Sequence, residues 1–163
     1  MEAGLEENDG YDVKQCAVGD LSEAELADCI RLVTDGDAVR PEYAKRDLPR
    51  SVVIAVARKN GRIVGVGTIK PARPEYTSGI AKKSGVTFSS DTPELGYVAV
   101  HRDHRGRRLS HRLLEVLQPA KHETVFATTS SEPMKRTLEK AGFSQRGEAW
   151  EGRRHDKLSL WIR

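Results

Sequence analysis

The stretch whose reading decides the fold is Glu94-Leu-Gly-Tyr-Val-Ala-Val-His-Arg-Asp-His-Arg-Gly-Arg-Arg-Leu-Ser-His-Arg-Leu-Leu-Glu-Val-Leu117. After Glu94 its next six residues are largely apolar and β-prone, which predicts a strand from Glu94 to Val100. Leu109, Leu113, Val116 and Leu117 then recur at helical spacing, and Pro119 is expected to stop that helix. The loop between them is basic: residues 101–112 hold five arginines and three histidines against one aspartate. A strand that runs through a basic, glycine-containing loop into a helix makes an anion site. The first N–H groups of the helix have no internal partner, and the helix dipole adds partial positive charge there. The loop is neither a Walker P-loop nor a G-x-G-x-x-G dinucleotide fingerprint.

Working outward, another strand and helix follow downstream. Thr124 to Thr128 reads as a strand. Ser131 caps a helix with Pro133 in its first turn, Met134, Leu138 and Ala141 line it, and Gly142 ends it. Two strands are expected from Phe143 to Ile162. Upstream, Ser51 to Ala57 and Arg62 to Ile69 flank Asn60-Gly61, a hairpin signal. The segment from Lys70 to Pro93, rich in proline, serine and threonine, reads as a long connection with a short element around Val86 to Phe88. Pro41 to Asp47 predicts a helical piece. Ser22 with Glu25 predicts a capping box opening a helix that carries Leu26, Cys29, Ile30 and Val33 and closes at Gly36. Asp12 to Ala17 predicts a first strand. This order predicts a mixed α/β or α+β layer architecture, with helices packed on one central sheet.

Composition bounds what such a chain does. At 163 residues, 37% apolar and 31% charged, it is one domain with enough apolar surface for a core. Residues 1–10 read as an acidic flexible tail, unlike a signal or transit peptide, and residues 11–163 as the domain. No apolar run approaches the ~20 residues of a membrane span. Cys16 and Cys29 have no metal or redox spacing and are expected to be reduced thiols in a cytoplasmic protein. A net charge of +3 does not by itself mark a nucleic-acid binder.

Two segments resemble one family. Tyr97 to Leu114 is similar to the acetyl-CoA motif of the GNAT N-acetyltransferase superfamily, [QR]-x-x-G-x-[GA], with Arg105 in the first position. Ser131-Glu-Pro-Met-Lys-Arg-Thr-Leu-Glu-Lys-Ala-Gly-Phe143 is similar to the family's N-x-x-[AM]-x-x-x-Y-E-K-x-G-F segment. The resemblance implies a mixed, mostly antiparallel sheet of about six to seven strands with about four helices. It further implies acetyl-CoA as cosubstrate and a primary amine, on a small molecule or a protein, attacking the thioester directly in a ternary complex. Val98, Ala99 and Val100 would offer backbone groups to the pantetheine arm, and an N–H near Val100 would hold the oxyanion. The N–H groups of Arg105, Gly106, Arg107, Arg108, Leu109 and Ser110 would hold the pyrophosphate, with Ser131 in the place of the family's asparagine. Glu94 is the candidate general base, and strand alternation places it on one face with Gly96, Val98 and Val100. The family often forms dimers, and the sequence leaves a homodimer open.

Four positions depart from the motif. Arg108 stands where the family has glycine, and either directs its backbone N–H to the ligand with its side chain reaching the 3′-phosphate, or blocks the groove. Ser110 replaces a glycine or alanine, Ser131 an asparagine, and Leu138 the tyrosine that many members use as acid. His101 and His104 on so basic a loop are poor metal ligands, and no metal is expected. Tyr97 is expected in the core, and Tyr43 and Tyr76 lie in segments that line the acceptor side in the family. Two other readings stay open. The basic loop 101–112, with Arg153-Arg154-His155 and with Arg73, Lys82 and Lys83 of the long connection, could direct the enzyme to a nucleic acid, an aminoacyl-tRNA or a DNA base, or the fold could bind CoA without turnover.

Overall fold

Ser22 Oγ accepts from Glu25 N and Glu25 Oε1 accepts from Ser22 N, both at 3.1 Å, so the helix start read from the sequence is built by the reciprocal cap. At the hairpin, Asn60 and Gly61 both have positive φ, 53° and 79°, as a two-residue turn matched to strand twist requires. In the computed structural model, which describes residues 9–35, 39–117 and 123–163, these local signals assemble into β1 (Tyr11–Cys16), α1 (Glu23–Thr34), α2 (Pro41–Asp47), β2 (Val53–Lys59), β3 (Arg62–Lys70) and α3 (Pro74–Ser84), followed by β4 (Glu94–Val100), α4 (Leu109–Val116), β5 (Phe126–Thr129), α5 (Glu132–Lys140), β6 (Ser144–Glu151) and β7 (Lys157–Ile162). The helix ends expected at Gly36 and Pro119 lie outside the described residues.

The seven strands form one sheet in the order β1-β2-β3-β4-β5-β7-β6. Every neighbouring pair is antiparallel except β4 and β5. Both faces are covered. Ala55 and Ala57 of β2 join a core with Leu109, Leu113 and Leu117 beside α4, whereas Ile54 and Val56 join one with Cys29, Leu32, Val33 and Leu48 beside α1 and α2. The period of two along β2 therefore serves two layers. Helix α4 sits unusually close to β3, since a Cβ on Gly67 would lie 3.0 Å from Leu117 Cδ1.

One expectation needs correction. The segment read as a long connection contains α3, which brings the helices among the described residues to five, in keeping with the expected fold. Pro74 occupies its first turn and Gly85, at φ 77°, closes it in the left-handed conformation. The helix breakers in this segment therefore sit at its ends, where they are compatible with helix. Val86 and Phe88 form no regular element; they pack with Ile80, Phe126 and Leu160. Next to β1, Asp9 is bonded to two other elements. Asp9 Oδ2 pairs with Arg112 at 2.9 Å, and Lys59 Nζ donates to Asp9 O at 2.8 Å.

Candidate active site

The loop between β4 and α4 is shaped by two left-handed residues, Gly106 (φ 80°) and Arg108 (φ 60°, ψ 25°). Arg108 thus keeps a backbone conformation that suits glycine, at a strain of about 1 kcal/mol or more. As N-cap of α4 it makes no side-chain capping bond. No side chain at this position closes off the first-turn N–H groups of the helix. His101 Nδ1 accepts from Asp103 N at 3.1 Å and caps the short turn Arg102–His104 that leads into the loop.

A cavity of about 330 Å³ opens against this loop. Of the residues predicted to hold the cofactor, Val100, Arg105, Gly106, Arg108, Leu109 and Ser110 line it. Val98, Ala99, Arg107 and Ser131 do not. Val98 packs into the core beside α4 and Ala99 into the core beside α1. Ser131 spends its hydroxyl on capping α5, accepting from Met134 N at 3.2 Å. The opposite wall belongs to α5, which adds Arg136, Thr137 and Lys140. Arg105, Arg108, Arg136 and Lys140 make four cations around the cavity, with no carboxylate among its described lining residues. The α5 cations were missed in the sequence. Their signal was the i, i+4 spacing of Arg136 and Lys140 on the polar face of a helix whose other face carries Leu138.

The edge of β4 toward β5 is open. The two strands meet in register only at Glu94 and Phe126, where Phe126 N donates to Pro93 O at 3.1 Å. Beyond that point β4 pairs with β3, and β5 with β7. A bulge also interrupts β4, with Tyr97 at φ 54° opposite the register shift between Val66 and Thr68. An extra residue reverses the alternation that follows it. Leu95, Val98 and Val100 accordingly join the core beside α4, and Tyr97 and Ala99 the core beside α1 and α2. Glu94 shares its surroundings with Tyr97, because Lys70 Nζ lies 3.5 Å from Glu94 Oε1 and 4.5 Å from the Tyr97 ring. The expected common face of Glu94 with Val98 and Val100 is therefore not formed.

Glu94 is 7% exposed and is held as an ion pair. Arg73 Nη2 donates to its Oε1 at 3.0 Å, and Tyr76 Oη donates to Oε2 at 3.5 Å. The Arg73 guanidinium stacks 4.0 Å from the Tyr76 ring. Burial, and then the charge of Glu94, push the Tyr76 hydroxyl above its ordinary value, and that hydroxyl also faces Thr128 of β5. Tyr97 donates to Asp47 Oδ2 at 2.8 Å, and burial followed by this bond pushes its pKa up. Asp47 is lowered chiefly by Arg46, 2.7 Å away. Arg46 in turn stacks 5.1 Å from the ring of Tyr43. Lys70 and Arg46 were not foreseen as part of this end of the molecule, and Arg73 was read only as part of a basic surface; Lys70 is the register partner of Glu94, and Arg73 arrives with α3. Leu138 is buried in the core.

Other predicted features disperse. Arg112 does not join a basic surface: its side chain is 13% exposed and donates to Asp9 Oδ2 at 2.9 Å and to Tyr11 O at 3.2 Å. His155 pairs with Glu151 at 2.9 Å. His104 Nδ1 bonds Tyr11 Oη at 2.8 Å. Cys29 is buried, and burial pushes its thiol up to about 12. No helix among the described residues is long and apolar enough to cross a membrane.

The acetyltransferase (GNAT) family matches residues 21–143 in sequence. No curated protein matches the chain. Several solved structures share its fold. A GNAT-family acetyltransferase from Bacillus cereus is 18% identical, with 94% of this chain and 96% of that one covered and a TM-score of 0.65. The polyamine N-acetyltransferase of Drosophila melanogaster is 17% identical over 94% and 99% of the two chains, with a TM-score of 0.63. The ribosomal-protein-alanine N-acetyltransferase of Brucella melitensis is 20% identical over 93% and 98%, with a TM-score of 0.60. At these identities the structures show a common fold, and the sequence match across residues 21–143 adds the family: this chain is an acyltransferase of the acetyltransferase (GNAT) family.

Proposed function

We propose that residues 11–163 form one domain that transfers an acetyl group from acetyl-CoA to a primary amine of a small molecule or a protein. The observation that carries this reading is the cavity at the uncapped start of α4, with four cations and no carboxylate in its described lining. Such a site suits a ligand bearing several phosphates. Acetyl-CoA supplies the activated thioester.

In this reading the N–H groups from Arg105 to Ser110 bind the pyrophosphate, with Arg107 contributing through its backbone. Arg108, Arg136 and Lys140 add charge around the remaining phosphate. The open edge of β4 at Val98, Ala99 and Val100 receives the pantetheine arm as an added strand would be received. Arg105 Nε donates to Val100 O at 3.3 Å, and this keeps the loop closed on the strand end. Ser131 acts at one remove by fixing the start of α5. From Val100 to Glu94 the strand runs about 20 Å, so a ligand lying along it with its phosphates at the loop points its acyl end toward Glu94.

Glu94 takes the proton that the acceptor ammonium must lose. Arg73 and Lys70 hold its Oε1, which leaves Oε2 as the basic atom beside the Tyr76 hydroxyl. The test is calorimetric titration with acetyl-CoA together with thiol release over an amine panel. Micromolar binding is expected, with Glu94→Gln keeping that affinity and losing at least tenfold in rate. Absence of binding overturns the cofactor assignment, and a full-rate Glu94→Gln enzyme overturns the base. Arg105→Ala is expected to weaken binding by about 1–3 kcal/mol.

A further inference from the structure

The charge at the Glu94 end of the sheet constrains which amines can be acetylated. Two carboxylates there, Glu94 and Asp47, are already engaged. Arg73 and Lys70 lie 3.0 Å and 3.5 Å from Glu94 Oε1. Asp47 accepts from Arg46 at 2.7 Å and from Tyr97 at 2.8 Å. Three cations thus face two carboxylates, and Lys70, at 13% side-chain exposure, is itself partly withdrawn from water. An amine arrives here as an ammonium ion. A polyamine would bring further positive charge to a place where Glu94 and Asp47 are already paired, which is unfavourable at low local dielectric.

We propose that the acceptor carries its own carboxylate close to the amine, and that Arg73 reads it, with Lys70 behind. This rests on the reading of Glu94 as the acceptor end. Arg73 is built for the task. Its guanidinium lies against the Tyr76 ring at 4.0 Å, and its bond to Glu94 uses one edge of a fork with five donors. The side chain nevertheless remains 45% exposed. An arginine held flat on an aromatic and anchored on one side presents its other donors to a carboxylate with little ordering left to do. Tyr76, whose ring it lies against, is itself 38% exposed. The bound carboxylate neutralises the excess cation, while the ammonium faces Glu94.

The carboxylate has two sources, a free amino acid or the acidic side chain of a peptide with a free N-terminus. The experiment measures thiol release from acetyl-CoA by the full chain with an α-amino acid, a β-amino acid and a peptide bearing aspartate beside its free terminus. Each is paired with its uncharged amide counterpart, and putrescine and spermidine are run alongside. At least one carboxylate-bearing amine is expected to exceed its amide by tenfold or more in kcat/KM, and to exceed both polyamines similarly; the winning arm identifies the source. Arg73→Gln is expected to shrink the carboxylate-to-amide ratio at least fivefold, mainly through KM, with acetyl-CoA affinity by titration unchanged. Arg73→Lys should restore part of the ratio. A ratio near one, polyamines as good as the amino acids, or acetyl-CoA binding with no carboxylate-bearing amine consumed each overturns the inference and leaves the cofactor site standing. Failure to bind acetyl-CoA overturns the reading beneath it instead.

Discussion

Arg108 joins two opposing demands in one residue. Its backbone is left-handed, at φ 60°, where a side chain is strained, and the residue still lines the cationic cavity. Replacing it with glycine separates the two. Arg108→Gly is expected to stabilise the fold by about 0.5–1 kcal/mol, because relief of left-handed strain slightly exceeds the added unfolded-state entropy. The same change removes one of four cations from the cavity, so acetyl-CoA affinity is expected to fall by about 1 kcal/mol or more. Urea unfolding and calorimetric titration read the two effects separately. Tighter binding in Arg108→Gly would mean that the side chain obstructs the groove. The sequence exposed the identity of this residue and the departure it represents, but not its φ, which becomes visible only once the loop is closed between Val100 and Leu109.

At the scale of elements, what was legible followed hydrophobic period and punctuation. The strand Glu94–Val100 and the helix Pro41–Asp47 have the bounds that were read from them, and the caps at Ser22 and Ser131 form. Helix α3 was not legible, because Pro74 and Gly85 look like loop residues until they are recognised as the two ends of a helix. The bulge at Tyr97 was not legible either, since nothing in Glu-Leu-Gly-Tyr-Val-Ala-Val marks an extra residue opposite β3, and the face of Glu94 was misassigned for that reason. Helix α5 was read for its start and its buried face, while its polar face turned out to complete the cavity. Arg136→Gln with Lys140→Gln is expected to weaken CoA binding by about 1–3 kcal/mol in total. Dephospho-CoA, which lacks the 3′-phosphate, should lose less. Equal losses for the two ligands, measured by titration, would place the α5 cations at the pyrophosphate instead.

Across the whole molecule, the layers are tied together by polar bonds between elements as well as by the core. Arg58 of β2 holds Glu25 of α1 at 2.8 Å, and Arg163 at the chain end donates to Leu117 O at 2.8 Å. The bond from Tyr97 to Asp47 joins the central strand β4 to α2, and it makes stability depend on pH at both extremes. Asp47 is held below its ordinary value by Arg46 first, with help from Tyr97. Its contribution is therefore complete above the ordinary carboxylate range and is lost as pH falls through its folded value. Tyr97 is raised, by burial first and then by the bond to Asp47. Its contribution is complete below the ordinary phenol value of about 10 and is lost as pH rises beyond it, because the unfolded chain releases that proton first. Tyr97→Phe is expected to cost about 1–2 kcal/mol at pH 7, since the substitution removes a hydrogen bond to a charged partner. It should also flatten the decline in stability above pH 10. The slope should not vanish, because Tyr76 is raised as well and titrates in the same direction. Urea midpoints at pH 7, 9 and 10.5 for the native chain, Tyr97→Phe and Tyr97→Phe with Tyr76→Phe should give three successively shallower alkaline slopes. An unchanged slope in Tyr97→Phe would mean that the hydroxyl between β4 and α2 titrates as freely as one in water.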